Sequence, residues 1–440
     1  MLTPMILLMI IMFMVIMLNL TKNFYFFGVS LFFLSFFFIS NVNFFVSWYM
    51  ISFGFSLNFY SLGLILLTLW IMGLVFMMLK DELELLSCLN LLSFTLLIMI
   101  INFYTVNVLI FYFMFEVSLL MMFLLIMKWG RGVLRLMASY YLMFYTLFFS
   151  LPFLVMMMLM LNEYGIDGFL LFELESMDLD TMMFLYFIMT FLVKMPVFLL
   201  HHWLLKAHVE APVYGSMILA GIMLKLGSYG LLRFMMIFSD KFNELGCVLI
   251  EYGILGSIIL SFLCFRQVDM KALVAMSSVV HMNFMLSSMM TLSMIGMLGA
   301  YMIMVAHGLC SSGLFYILNF SYQYSNSRLM IINKGVMICS PIMSLMWFLM
   351  CSSNMAAPLS LNLVGEIFML ISLVCYLKII CFELFFYCLL SFMYSLYLFS
   401  YVNHGELNFN LMMSGKMINY LISLFHWIPL NLMIFNLFIF

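Results

Sequence analysis

Long apolar runs separated by short polar breaks recur along almost the whole chain. An α-helix needs about 20 mainly apolar residues to cross the hydrocarbon core of a bilayer, and most runs reach that length. Reading the runs between breaks predicts about fourteen spans, near 3–20, 24–40, 58–79, 83–102, 106–127, 136–161, 181–203, 212–238, 247–264, 270–290, 295–320, 335–379, 382–402 and 417–440. The first lacks a basic leading stretch and a small-residue cleavage site, so it reads as a span and not as a signal peptide. The expected fold class is an all-α polytopic membrane protein.

Two runs are interrupted. The seventh carries Pro196 two residues after Lys194, and the twelfth, too long for one crossing, breaks around Ser352, Ser353, Asn354, Met355, Ala356, Ala357 and Pro358. Proline removes a helix hydrogen bond and frees a carbonyl. Lipid tolerates this only where protein or a wet cavity covers the backbone. The two breaks fall at matching depths in two blocks of five spans, 83–238 and 247–402. A three-helix segment, 1–82, precedes them, and a C-terminal helix, 403–440, follows. Five is odd, so the second block must run inverted. Inverted repeats with one broken helix each are a transporter pattern.

With fourteen spans the loops alternate sides. One side receives Lys22, Lys80, Lys128, Arg131, Arg135, Lys206, Arg266, Lys271, Arg328, Lys334 and Lys416; the other receives only Arg233, Lys241 and Lys378. Basic loops face the interior compartment, which puts both termini on the outer side. The poor side also holds Glu163, Asp167, Glu173, Glu175, Asp178 and Asp180, read as a solvated surface.

Composition sharpens this. Of 440 residues, 68% are hydrophobic and 8% charged, against about 25% charged in an ordinary soluble domain; the mean hydropathy is +1.24. A net charge of −2 with no basic stripe gives nucleic acid nothing to bind. The nine cysteines are scattered without a CxxC, against a disulfide frame or an iron–sulfur site. No glycine-rich nucleotide motif occurs. Met156, Met157 and Met158 could be pictured as copper ligands, but methionine is first of all a flexible apolar filler.

Against that oil stand four ionisable side chains in mid-run: Glu116, Lys194, Lys225 and Glu366. Each costs about 2.5–3.5 kcal/mol on insertion scales. Together they cost on the order of 10 kcal/mol, comparable to the whole stability of a domain, about 5–15 kcal/mol. A chain that merely sat in a membrane would not carry them, and the default reading is an ion or proton pathway. A lysine beside Glu116 would make a coupled pair in which protonating one group changes the other. Lys225 lies too far from the ends of its run to snorkel, with Gly221 and Gly227 allowing close helix approach. Lys194 adjoins the Pro196 break.

Histidines extend the set. His201, His202 and His208 follow the break in HHWLLKAHVEAP and can relay protons near physiological pH. His201 and His208 share a helix face, but a zinc site lacks its third inward ligand. His281 and His307 lie mid-run, as relay groups or as satisfied core residues. Glu366 follows the second break and would end a line from Glu116 through Lys194, Lys225 and His281. Glu210, Glu251 and Glu383 stand near span ends and read as interfacial, and His426-Trp427 reads as an interfacial anchor.

The segments FEVSLL, LVKMPVFLLHHWLLKAHVEAP, GSMILAGIMLKLGSYG, AHGLCSSGLF, INKG, SSNMAAPLSLNLVGE and HWIPLNL resemble the chain 4 subunits of mitochondrial NADH–ubiquinone oxidoreductase, respiratory complex I, in an invertebrate version. The resemblance spans roughly residues 90–430. The 52 Met and 51 Phe are also similar to usage in AT-rich mitochondrial genomes. The resemblance implies fourteen transmembrane helices, an antiporter-like fold in the mitochondrial inner membrane, and proton translocation along a central polar axis. On the family pattern Glu116, Lys194, Lys225 and Glu366 match the axis residues, and His201 and His208 the histidines after the broken helix. It implies other membrane-arm subunits and phospholipids as partners, with flavin and iron–sulfur clusters in other chains and none in this one. Where family members usually have proline this chain has Leu205, which leaves the extent of unwinding open.

A free-standing cation/proton antiporter of the same fold is the rival reading. It would need a carbonyl- or carboxylate-lined ion site, whereas alternating Lys and Glu suit protons better. A purely structural scaffold conflicts with the insertion cost. Nothing in the chain binds a fuel, so the energy for pumping must come from partners.

Overall fold

The computed structural model describes residues 10–13, 15, 24–41, 48–52, 54–79, 85–165, 168–169, 181–406 and 417–435. Most of the predicted span 3–20, and the acidic residues Asp167, Glu173, Glu175, Asp178 and Asp180, lie outside the described residues. In chain order the helices are α1 (Phe24–Asn41), α2 (Phe59–Met78), α3 (Leu85–Tyr104), α4 (Val108–Trp129), α5 (Arg135–Tyr164), α6 (Thr181–Lys194), α7 (His202–Glu210), α8 (Val213–Ile237), α9 (Ser239–Cys264), α10 (Met270–Met289), α11 (Met294–Ser325), α12 (Val336–Cys339), α13 (Pro341–Asn354), α14 (Leu361–Tyr376), α15 (Cys381–Asn403) and α16 (Met417–Phe435). Among the described residues ten helices are long and apolar enough to cross a membrane. Among the described residues one antiparallel hairpin, β1 (Trp48–Ser52) and β2 (Phe55–Asn58), departs from the all-helical expectation. It turns at Gly54, whose φ of 76° suits a residue without a Cβ.

The fold divides into two compact units. The first takes the described residues of Met1–Lys194 and Glu210–Lys241, and the second those of Met195–Val209 and Phe242–Leu437. The chain thus changes unit directly after Lys194 and returns at Glu210.

Lipid-embedded helices gain little from the hydrophobic effect against one another, so they associate through close packing at small residues. In the first unit α1 and α2 meet at Gly28 and Gly73; a Cβ on Gly28 would lie 2.9 Å from the Gly73 carbonyl oxygen. In the second, a Cβ on Gly299 of α11 would lie 3.1 Å from the Gly365 carbonyl oxygen of α14. The inner helices are covered on all sides, as in α10, while α5 presents Phe144 and Phe148 outward at 68% and 73% exposure.

The two broken helices share an anatomy. Helices α6 and α13 are each 14 residues long. Each stops two to four residues before a proline, because the residue preceding proline is driven out of helical geometry. A tight turn follows each stub: the Leu200 N–H donates to the Val197 carbonyl at 3.0 Å, and the Ser360 N–H to the Ala357 carbonyl at 3.1 Å. The third residue of each turn is a leucine in the left-handed region, Leu199 at φ 71° and Leu359 at φ 70°. Glycine normally fills that place, and a branched residue there costs roughly 1–2 kcal/mol. At the second break Ala356 is left-handed as well, and its N–H and that of Ala357 close the stub on the Ser353 and Ser352 carbonyls.

Side chains satisfy the freed backbone. The Phe198 N–H donates to Asn283 Oδ1 at 3.1 Å, and the Tyr252 hydroxyl donates to the Phe198 carbonyl. Asn362 Nδ2 donates to the Ser353 carbonyl at 2.7 Å. The Asn431 amide, oriented to suit both neighbours, donates to the Leu359 carbonyl at 2.7 Å and accepts from Trp427 Nε1 at 3.3 Å. Buried backbone groups must be paired, and here asparagines from other helices do it. Beyond the first break α7 runs unbroken through Leu205.

Candidate functional site

In the first unit the last residue of α6 points into α4. Lys194 is 4% exposed, and its Nζ lies 3.9 Å from Glu116 Oε1 and donates to the Phe115 carbonyl at 3.0 Å. The Phe115 ring faces the same ammonium, a favourable placement for a cation over a π-face. Around the pair the unit is lined by phenylalanine: Phe115 and Phe191 rings sit 5.9 Å apart, Phe191 and Phe153 5.4 Å, and Phe153 and Phe234 5.6 Å. An ion pair in so dry a setting repays its desolvation only with good geometry.

Lys225 lies on α8 directly after a π turn at Leu219–Met223. A π turn inserts one extra residue and loosens the carbonyl ladder, and such turns gather at functional sites. Lys225, fully buried, donates from Nζ to the Ala220 carbonyl at 2.6 Å.

The second unit builds its site around histidine. His281 Nδ1 lies 3.7 Å from Glu366 Oε1 and 3.4 Å from the Tyr387 hydroxyl, while Nε2 lies 3.1 Å from the Tyr394 hydroxyl. The His307 ring is 5.5 Å from that of His281. Glu366 keeps 13% of its side chain accessible, and Glu116 in the other unit 14%. His201 stacks on His202 at 4.7 Å, and His208 lies flat on Phe315 at 4.6 Å. The predicted residues therefore form two groups, Glu116–Lys194 and Glu366–His281–His307, with Lys225 bonded within its own helix.

Three placements correct the sequence reading. His426 is no interfacial anchor: it is fully buried, with Nδ1 3.2 Å from Ser312 Oγ. Arg233, expected in a loop, is 3% exposed within α8, its guanidinium 4.9 Å from the Phe169 ring centre and 5.6 Å from that of Tyr229. Lys271 is likewise 6% exposed, in the first turn of α10. Both cations lie within about one helical turn of a span end, where a long stem can bury while the helix continues.

Several functional groups were missed in the sequence. Tyr387 and Tyr394 lie on a stripe with Leu384, Ser391 and Leu398 at heptad spacing, which reads as ordinary packing. Asn283 and Asn362 look like stray polar residues until the breaks they serve are seen. Among the described residues no group of three or more His, Cys, Asp or Glu could hold a metal ion.

Residues 105–393 match the family described as NADH:quinone oxidoreductase/Mrp antiporter, transmembrane. The chain is 46% identical over 398 residues to NADH-ubiquinone oxidoreductase chain 4 of Apis mellifera ligustica, covering 89% of this chain and 88% of that one. In fold it is similar to a chain of respiratory complex I from Thermus thermophilus with bound NADH, with a TM-score of 0.87 at 19% identity, covering 97% and 95% of the two chains. It is similar also to a chain of the Mrp complex from Dietzia sp., with a TM-score of 0.85 at 18% identity, covering 98% of this chain and 50% of that one.

Proposed function

Because this chain belongs to the NADH:quinone oxidoreductase/Mrp antiporter transmembrane family, we propose that it moves protons through the two buried acid–base groups, Glu116–Lys194 and Glu366–His281–His307, with Lys225 between them in the order of transfer. It is a proton-translocating membrane-arm subunit of NADH:ubiquinone oxidoreductase, in the mitochondrial inner membrane beside other antiporter-like subunits. Electrons flow from NADH to ubiquinone elsewhere in that complex, on flavin and iron–sulfur clusters held by other chains. His201 and His208, after the first break, act as further proton-relay groups.

The observation that carries the assignment is the 3.9 Å approach of Lys194 to Glu116 at a helix break. A carboxylate and an ammonium in low dielectric titrate as one unit, so a proton added to Glu116 frees the ammonium to give up its own. Moving one charge against a membrane potential costs about 2.3 kcal/mol per 100 mV, and redox chemistry in the partners supplies it. The matched half-helices and turns support reading 83–238 and 247–402 as inverted five-helix repeats within about fourteen spans. The loop charges that remain outside helices support both termini on the intermembrane-space side.

Replacing Lys194 with Ala is expected to abolish translocation through this subunit while the complex still assembles. The measurement is the proton-to-electron ratio of the complex in reconstituted vesicles; a ratio equal to that of the parent would sink the assignment. Purification of the native chain separates the rival reading: an active solitary protein would favour a free-standing antiporter, and a flavin-containing assembly favours the complex.

A further inference from the structure

His281 is held at both ring nitrogens, and the two partners are chemically unequal. A neutral imidazole carries one N–H donor and one bare acceptor nitrogen. Which is which is set by the partner each nitrogen meets. Nδ1 faces the Glu366 carboxylate at 3.7 Å and the Tyr387 hydroxyl at 3.4 Å. Nε2 faces the Tyr394 hydroxyl at 3.1 Å. An ionised carboxylate only accepts, whereas a phenol donates or accepts according to how its hydrogen is turned. All three aromatic partners are out of reach of solvent: His281 is 4% exposed, and Tyr387 and Tyr394 are fully buried. In that dry setting a ring nitrogen without a partner costs about 1–3 kcal/mol.

We propose that Tyr394 is a positioning residue that decides which nitrogen of His281 carries the proton, so that Nδ1 presents it to Glu366. The inference rests on the proton-relay reading given above. While Glu366 is ionised, the Tyr394 hydroxyl donates to Nε2 and so fixes the N–H on Nδ1. An imidazolium at His307, whose ring lies 5.5 Å away, gives up its N–H proton, an N–H bond forms at Nε2 of His281, and the Tyr394 hydroxyl turns to accept it. The N–H bond at Nδ1 then breaks and an O–H bond forms on Glu366. One proton enters at one nitrogen, another leaves from the other, and the histidine ends neutral. Tyr394 itself neither gains nor loses a proton. Tyr387 shares Nδ1 with Glu366 and is not required for the choice.

Sequence geometry places the hydroxyl there. Tyr387 and Tyr394 are seven residues apart, two turns of α15, on the inward stripe that also carries Leu384, Ser391 and Leu398. Phe385, Phe392 and Leu396 occupy the outer face. Removing one hydroxyl therefore leaves the packing ring in place, which separates chemistry from structure.

The test uses the assembled complex in vesicles, comparing Tyr394→Phe, Tyr387→Phe and His281→Ala. Expected are a proton-to-electron ratio for Y394F lowered by at least half of the H281A deficit, and a deficit for Y387F no more than half that of Y394F. Tyr394→Gln, whose amide keeps a donor and an acceptor, is expected to recover coupling to within twofold of the parent, and it serves as the readout if Y394F assembles poorly. A parental ratio in Y394F alongside a deficit in H281A overturns this inference alone. Equal losses in Y394F and Y387F, or loss in Y394Q, also overturn it. A parental ratio in H281A strikes instead at the relay reading of the second unit.

Discussion

Lys194 and Asn354 close half-helices of the same length, one a charge and the other an amide. Counting from Thr181 and from Pro341, they stand at the same place in the two stubs, and the turns beyond them each put a leucine at φ near 70°. The first stub ends in a cation aimed at a carboxylate 3.9 Å away. The second ends in a neutral residue, buried with 5% exposure and set against the Cys310 thiol. Its acid–base chemistry lies instead on α10 and α14, in His281 and Glu366. One backbone device thus serves two electrostatic arrangements: charge against charge among phenylalanines, and an imidazole held by hydroxyls. A Lys–Glu pair has two main states, whereas a histidine with a partner on each nitrogen can pass a proton through itself. The difference teaches that the break supplies geometry, and the neighbouring helices decide the chemistry.

Parallel substitutions test that contrast. Glu116→Gln and Glu366→Gln should both stop translocation through this subunit, the first because Lys194 loses the carboxylate it pairs with and the second because the proton leaving His281 Nδ1 has no acceptor. They should differ in assembly: E116Q leaves a buried lysine cation without its carboxylate, at about 3–5 kcal/mol, whereas E366Q leaves His281 held by Tyr387 and Tyr394; equal amounts of assembled complex on native gels would erase the contrast. Asn354→Lys would make the second stub a copy of the first without a Glu116 to answer it. A buried unpaired charge costs about 3–5 kcal/mol, so assembled complex on native gels should drop sharply; normal assembly would mean that the second break is already wet.

Smaller effects follow from the asparagines. Asn362→Leu strips the Ser353 carbonyl of its donor, and Asn283→Leu strips the Phe198 N–H of its acceptor. Each should cost about 1–3 kcal/mol, seen as a lower thermal midpoint of the complex, and an unchanged midpoint would show that water already serves these groups. Leu199→Gly and Leu359→Gly relieve left-handed strain of roughly 1–2 kcal/mol against a glycine entropy cost of about 0.5–1 kcal/mol. A midpoint rise worth at most about 1 kcal/mol is expected in both; a fall at one break only would show that its leucine side chain holds the turn.

Much of this was legible in the chain. Helix α10 was expected at 270–290 and runs Met270–Met289, because long apolar runs bounded by polar residues leave little freedom. Pro196 and Pro358 announced the breaks for the plain reason that proline lacks an N–H. The mid-run charges stood out because oil makes every charge an exception. Pairing was another matter: 78 residues separate Glu116 from Lys194, and no periodicity connects them. Tyrosines on an apolar stripe look like packing until a histidine is found opposite. Arg233 and Lys271 fell to the loops because span ends blur by a turn, and His426 was misjudged because a His–Trp pair near a terminus usually marks an interface. A π turn leaves no mark in composition at all.

That π turn has a mechanical consequence. Each residue of an α-helix advances the ring of side chains by about 100°, so the surplus residue at Leu219–Met223 works as a crank throw for everything downstream. If the turn relaxed to ordinary α geometry, Lys225 would swing by about that angle, and its ammonium would let go of the Ala220 oxygen it now grips at 2.6 Å. The bearing of that lysine is therefore governed by a widened turn about half a turn behind it, and an α-helical segment of the same length would aim it elsewhere without altering a single chemical group.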